Sequence, residues 1–150
     1  MKLEVLAAAV AVPSRIDTPH PARAARAADR ASRRILVVED DAELRESLAE
    51  SLALRGYQVD TVVDGRAALD RMRQTQPDIV VLDLLMPVMD GWQFRAEQLR
   101  DPELLKIPTV VYSAVGNIDE AIEHLNVAGG FEKGDFTEML HFVAQFCPRR

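Results

Sequence analysis

The strongest constraint on this chain is a set of short, unbroken apolar runs that each stop at a polar side chain. Ile35-Leu36-Val37-Val38 ends in Glu39-Asp40-Asp41, Ile79-Val80-Val81-Leu82 ends in Asp83, and Thr109-Val110-Val111-Tyr112 ends in Ser113. Such runs suit strands covered on both faces, as in a parallel sheet between helix layers. The intervening stretches have helical spacing. Leu44, Leu48 and Leu52 recur every four residues before Gly56, Ala68, Leu69 and Met72 share a stripe within 65–74, and a third helix follows the Leu84–Gly91 loop and runs through about Arg100. Tyr57, Val59, Thr61 and Val63 alternate as a second strand, and Asn117 or Asp119 caps a short fourth helix. A fifth strand around Phe131 precedes Lys133, and Phe136, Met139, Leu140, Val143 and Phe146 mark the last helix. Strand and helix therefore alternate five times, and the short connections imply right-handed crossovers with helices on both faces of one parallel sheet.

Composition narrows the function. With 150 residues, 48% of them hydrophobic, the chain suffices for one domain with a real core. No apolar run approaches the roughly 20 residues that a membrane-spanning helix needs. A single cysteine, Cys147, makes neither an internal disulfide nor a cysteine metal cage, in keeping with a reducing, cytoplasmic setting. Residues 1–34 hold seven Arg or Lys against three acids and are rich in Ala and Pro; they read as a disordered extension preceding a folded domain at 35–150. Leu3–Val12 only superficially resembles a signal-peptide core, because it is short and carries Glu4 where a basic residue belongs. The body holds eleven basic residues against twenty-one acids, so it repels nucleic acid and attracts divalent cations.

In open parallel sheets the working site lies beyond the carboxyl ends of the strands. Those ends carry Glu39 and Asp40, Asp83, Ser113 and Lys133. Three clustered carboxylates repel one another unless a cation shares the site, and hard oxygen donors without His or Cys favour Mg²⁺. Each residue has an ordinary explanation as well. Asp40 with Glu43 makes a plausible capping box, a strand-end hydroxyl is common, and most lysines are surface groups. Asp83 is the hardest to explain away, because it follows four buried apolar residues.

The segments ILVVEDD (35–41), VVLDLLMPVMDGW (80–92) and VVYSA (110–114), with Lys133, resemble the CheY-like receiver domain of two-component response regulators. The resemblance implies a flavodoxin-like (βα)5 three-layer sandwich with strand order 2-1-3-4-5. It also implies that Asp83 accepts a phosphoryl group from a histidine kinase or a histidine phosphotransfer protein. By the same resemblance Glu39, Asp40, Asp83 and the main-chain carbonyl of Leu85 hold Mg²⁺, while Ser113 and Lys133 answer the phosphoryl group. Such a protein is not a turnover enzyme; it phosphorylates and dephosphorylates itself. Because the sequence stops four residues after Phe146, the expectation is a stand-alone receiver that signals by binding an unknown downstream protein or by phosphorelay, touching neither nucleic acid nor membrane.

Two positions depart from the family pattern. Gly134 follows Lys133 where the family usually has Pro, and Gly130 stands three residues before it where the family has an aromatic. Phe131, next along, reads as core. A haloacid dehalogenase-type hydrolase requires a second Asp two residues after the nucleophile, and position 85 is Leu. A nucleotide-binding module requires glycines after the first strand, and acids stand there instead. The alternative that survives is a receiver-fold docking module that is never phosphorylated.

Overall fold

The computed structural model describes residues 32–148, and what the sequence suggests for residues 1–31 lies outside them. Strands β1 (Arg34–Val38), β2 (Gln58–Val62), β3 (Ile79–Leu82), β4 (Thr109–Ser113) and β5 (Gly129–Glu132) alternate with helices α1 (Ala42–Leu54), α2 (Gly65–Thr75), α3 (Gly91–Arg100), α4 (Ile118–Leu125) and α5 (Phe136–Phe146). The strands form one sheet in the order β2-β1-β3-β4-β5, and every pairing is parallel. This is the flavodoxin-like order expected, and β1 opens at Arg34, the last residue of the basic head as the sequence divides it.

Strand pleating sends alternate side chains to opposite faces, and the apolar runs use this to build two cores. Ile35, Val37, Ile79, Val81, Val110 and Tyr112 face a layer with α1 and α5, where Leu48, Leu52, Met139, Leu140 and Val143 are buried. Leu36, Val38, Val80, Leu82 and Val111 face α2, α3 and α4, meeting Ala68, Leu69, Met72, Phe94, Ala121 and Leu125. At roughly 25 cal/mol per Å² of apolar surface removed from water, these two layers dominate the stability.

The edge strand and the first cap differ from the sequence reading. β2 is shorter than the Tyr57–Val63 alternation suggests: Val62 enters the core, while Thr61 is exposed and Val63 is half-exposed. As an edge strand it has a neighbour on one side only, so helices cover it incompletely. The N-cap of α1 is Asp41 rather than Asp40; its carboxylate accepts from the Leu44 amide at 2.9 Å. That one-residue difference leaves the Asp40 carboxylate free of capping duty. Phe131 packs into the α5-side core, its ring 5.5 Å from that of Phe142.

Candidate functional site

Register brings the site together. Val38 pairs with Leu82, and the Asp83 amide donates to the Val38 carbonyl at 3.0 Å, so Glu39 and Asp83 leave adjacent strands side by side. On the other flank Ser113 pairs with Glu132, and the Lys133 amide donates to the Ser113 carbonyl at 3.0 Å. Four strand ends thus converge without help from the helices.

The side chains form a connected cluster. Ser113 Oγ, fully buried, donates to Asp83 Oδ1 at 2.8 Å, and the Leu85 amide donates to the same oxygen at 3.2 Å. Lys133 Nζ donates to Asp83 Oδ2 at 3.2 Å and to Glu39 Oε1 at 3.3 Å. Asp40 joins them: carboxylate oxygens of Glu39, Asp40 and Asp83 lie within 4.8 Å of one another. Asp83 is only 2% exposed and Glu39 only 1%, whereas Asp40 is open to solvent. A groove of about 490 Å³ runs from Asp40 past Leu85, Met86 and Pro87 to Trp92. Every side chain singled out from sequence is therefore brought to this one rim. Leu85 reaches it through its backbone, with its side chain turned to solvent.

Electrostatics show a deficit of positive charge. Burial first, and the neighbouring Asp83 carboxylate second, push Glu39 up to about 7. Burial works against the Lys133 ammonium, but attraction to Asp83 and Glu39 outweighs it and lifts its pKa above the usual lysine value. One ammonium thus serves two buried carboxylates, with a third acid beside them. Three hard oxygen ligands short of positive charge are the donor set that Mg²⁺ takes, so the residues present fit the ion.

Backbone contacts that sequence reasoning did not anticipate hold this geometry. The Arg45 guanidinium donates to the carbonyls of Glu39 and Asp40 at 3.1 and 3.2 Å, bracing the acidic turn from one turn into α1. Gly91 sits so close to the start of the β3–α3 loop that an added Cβ would lie 2.6 Å from the Asp83 carbonyl oxygen. Its amide donates to the Leu84 carbonyl, and Asp90 with Gln93 completes a capping box at the start of α3. An Asp-Gly pair signals a turn in any sequence; the close approach is what makes this glycine obligatory.

Comparison with known proteins agrees with this geometry. The response regulator receiver domain family matches residues 35–131, ending two residues short of Lys133. Response regulator MprA of Mycolicibacterium vanbaalenii is 43% identical over 93 residues, covering 62% of this chain and 39% of MprA. The chain thus spans about two-fifths of the length of that curated relative. Among solved structures, the phosphorylated cyanobacterial phytochrome response regulator RcpA is 31% identical with a TM-score of 0.66, over 77% of this chain and 91% of its own. The Mn²⁺-bound form of response regulator Rcp1 is 28% identical with a TM-score of 0.66, over 76% of this chain and 93% of its own. No helix among the described residues is long and apolar enough to cross a membrane. By sequence match, strand order and the residues at its strand ends, this chain belongs to the response regulator receiver domain family.

Proposed function

We propose that the receiver accepts a phosphoryl group on Asp83 from a histidine kinase or a histidine phosphotransfer protein in a Mg²⁺-dependent reaction. The observation that carries this reading is Asp83 itself: a buried carboxylate beside Asp40 and Leu84, which line an open groove, with a hydroxyl, an amide and an ammonium already aimed at its two oxygens. Two solved relatives support it, one crystallised phosphorylated and the other with a divalent cation bound.

Glu39, Asp40 and Asp83, with the Leu85 carbonyl, hold the ion. It supplies charge neutralisation for the phosphoryl oxygens and for the carboxylates around them. A carboxylate oxygen of Asp83 bonds to phosphorus as the phosphorus–nitrogen bond to the donor imidazole breaks. The imidazole leaves with the bonding electron pair and takes a proton from solvent. Buried on its strand end, Asp83 presents its oxygens in fixed positions, which lowers the orientational cost of the transfer. The product carries about −2 charge beside Glu39 and Asp40, and Lys133 and Ser113 are the side chains placed to meet it. Meeting it requires Ser113 Oγ to leave Asp83 Oδ1 and Lys133 Nζ to leave Glu39. Phosphorylation thereby biases the loops that carry them, and the receiver's surface conveys the change to a partner protein or onward by phosphorelay.

The test is incubation with acetyl phosphate and Mg²⁺ followed by intact mass measurement. Wild-type protein gains one phosphoryl group, and Asp83→Asn or added chelator abolishes the gain. Failure of the wild type to gain mass with acetyl phosphate and with a panel of histidine kinases favours the docking module that is never phosphorylated. Lys133→Ala is expected to retain metal binding while losing the conformational response.

A further inference from the structure

The acidic rim leaves one buried cation of the described chain unused. Arg95 lies on α3, 5% exposed, on the side of the sheet away from Glu39 and Lys133. Among the described residues its guanidinium has no acidic partner within hydrogen-bond reach; it donates from Nε to the Leu125 carbonyl at 2.9 Å and from Nη2 to the Asn126 carbonyl at 2.6 Å. Leu125 is the last residue of α4, and Asn126 is its C-cap, in the left-handed conformation at φ 51°. A guanidinium there meets carbonyls that have no partner within the helix and faces the negative end of its dipole.

The clamp is itself anchored. Arg95 Nη1 donates to Gln98 Oε1 at 2.8 Å, Gln98 Nε2 donates to the carbonyls of Leu104 and Ile107, and Thr109 Oγ1 donates to Gln98 Oε1 at 3.1 Å. Gln98 is fully buried, so α3, the connection to β4, the first residue of β4 and the end of α4 are joined by one polar network inside an apolar layer. A fully satisfied network of this kind fixes one arrangement, because any displacement strands a buried donor or acceptor.

The other end of α4 is held differently. Its N-cap bond, from the Glu120 amide to Asn117 Oδ1, is 3.4 Å long and exposed. Ala114, Gly116 and Asn117 are exposed, and an added Cβ on Gly116 would meet nothing within 4 Å. Val115 and Ile118 pack on the core, and Asn117 Nδ2 donates to Glu120 Oε2 at 2.6 Å. Among the described residues, though, no buried polar clamp like that of Arg95 holds this end, which connects through residues 114–116 to Ser113, whose hydroxyl rests on Asp83. Midway, α4 lies directly on β5: an added Cβ on Gly130 would fall 2.5 Å from Ile122 Cγ1, so no aromatic fits there.

We propose that Arg95 is the pivot of α4: it fixes the helix's carboxyl end to α3, so that occupancy of Asp83, acting through Ser113 and residues 114–116, moves the amino end and leaves the carboxyl end in place. The motion rests on the phosphorylation reading above; the clamp does not. With Gly130 in place of an aromatic, displacement of the helix itself carries the signal on this side of the sheet.

Amide hydrogen exchange read by mass spectrometry tests this on the 150-residue protein, with and without Mg²⁺ and acetyl phosphate, each sample also weighed intact. In wild type the donor is expected to change exchange at 114–120 and to leave 123–127 nearly unchanged. In Arg95→Met, which keeps the volume and removes the donors, donor-free exchange at 123–127 is expected to rise about tenfold or more while 79–82 stays protected. The donor effect then spreads to both ends of the helix. Arg95→Lys, which loses the two-pronged fork, is expected to fall between them and supplies the readout if the Met variant does not fold. Unchanged exchange at 123–127 in both variants overturns the clamp, and a wild-type response concentrated at 123–127 overturns the pivot. The intact masses judge phosphorylation separately: no gain in wild type with acetyl phosphate and with the panel of histidine kinases overturns that reading and the motion with it, while the donor-free samples still decide the clamp.

Discussion

Two loops meet at the acidic rim and are built in opposite ways. The β3–α3 loop, which carries Asp83, is tied at nearly every step: Gly91 N–H to Leu84, Gly65 N–H to Met89, Met89 N–H to Pro87, and the Asp90–Gln93 capping box. It even holds Val88 at φ 68°, a left-handed conformation costing a β-branched residue on the order of 1–3 kcal/mol, at the apex of the Pro87–Met89 turn. The β5–α5 turn, which carries Lys133, has the Lys133 and Asp135 backbone bonds, a 3.5 Å bond from the Gly134 amide to Tyr112 Oη, and the ammonium's own bonds to Asp83 and Glu39. Asp135 makes no side-chain cap bond, and Gly134 stands at φ 124° with open space around it. On the proposed reading, the nucleophile sits in the fixed loop and the cation that answers it in the adjustable one. A transfer site needs that division: the attacked position is preorganised, while the group that registers the outcome must have somewhere else to go.

The contrast breaks most severely at Gly91. Gly91→Ala drives a methyl group into the backbone of Asp83 and Leu84, and should cost about 3 kcal/mol in denaturant unfolding and reduce phosphorylation of Asp83 sharply. Next comes pH. Between its ordinary 4.5 and its folded value of about 7, Glu39 keeps a proton that the unfolded chain has lost. Metal-free stability should therefore fall by about 3 kcal/mol as pH rises through that window, and Mg²⁺ should restore it above pH 7 but add little below pH 5. Melting temperatures across pH, with Mg²⁺ and with chelator, check the sign. Gly134→Ala should cost less, about 1 kcal/mol, because only backbone conformation opposes it and the turn is free to relax. Its phosphorylation of Asp83 should match wild type; an effect as large as that of Gly91→Ala would erase the distinction between the loops.

The sequence carries the fixed half of the molecule more openly than the adjustable half. Strands β1, β3 and β4 are legible because both-sided burial demands unbroken apolar runs, and the polar residue that ends each run belongs to the candidate site. What stays hidden depends on a neighbour distant in sequence. Arg95 and Gln98, three apart on a helix with Glu97 and Arg100 nearby, look like an ordinary solvated face. The carbonyls at the end of α4, for Arg95, and those of Leu104 and Ile107, for Gln98, make them interior. Asp40 and Asp41 are equivalent on paper, and the path of the chain into α1 decides which one caps. Gly130 reads as a departure from the family pattern, and its reason is Ile122, a side chain that no local pattern places there.

The most direct test is a crystal structure with Mg²⁺ and beryllofluoride, a phosphoryl mimic, bound at Asp83. The backbone from Asp83 to Gly91 should superpose on the structure described above. Lys133 Nζ should have left Glu39 and Ser113 Oγ should have left Asp83 Oδ1, both reaching the mimic, with Glu39 and Asp40 turned to the ion. A rearranged β3–α3 loop beside an unbroken Lys133–Glu39 pair would contradict the account.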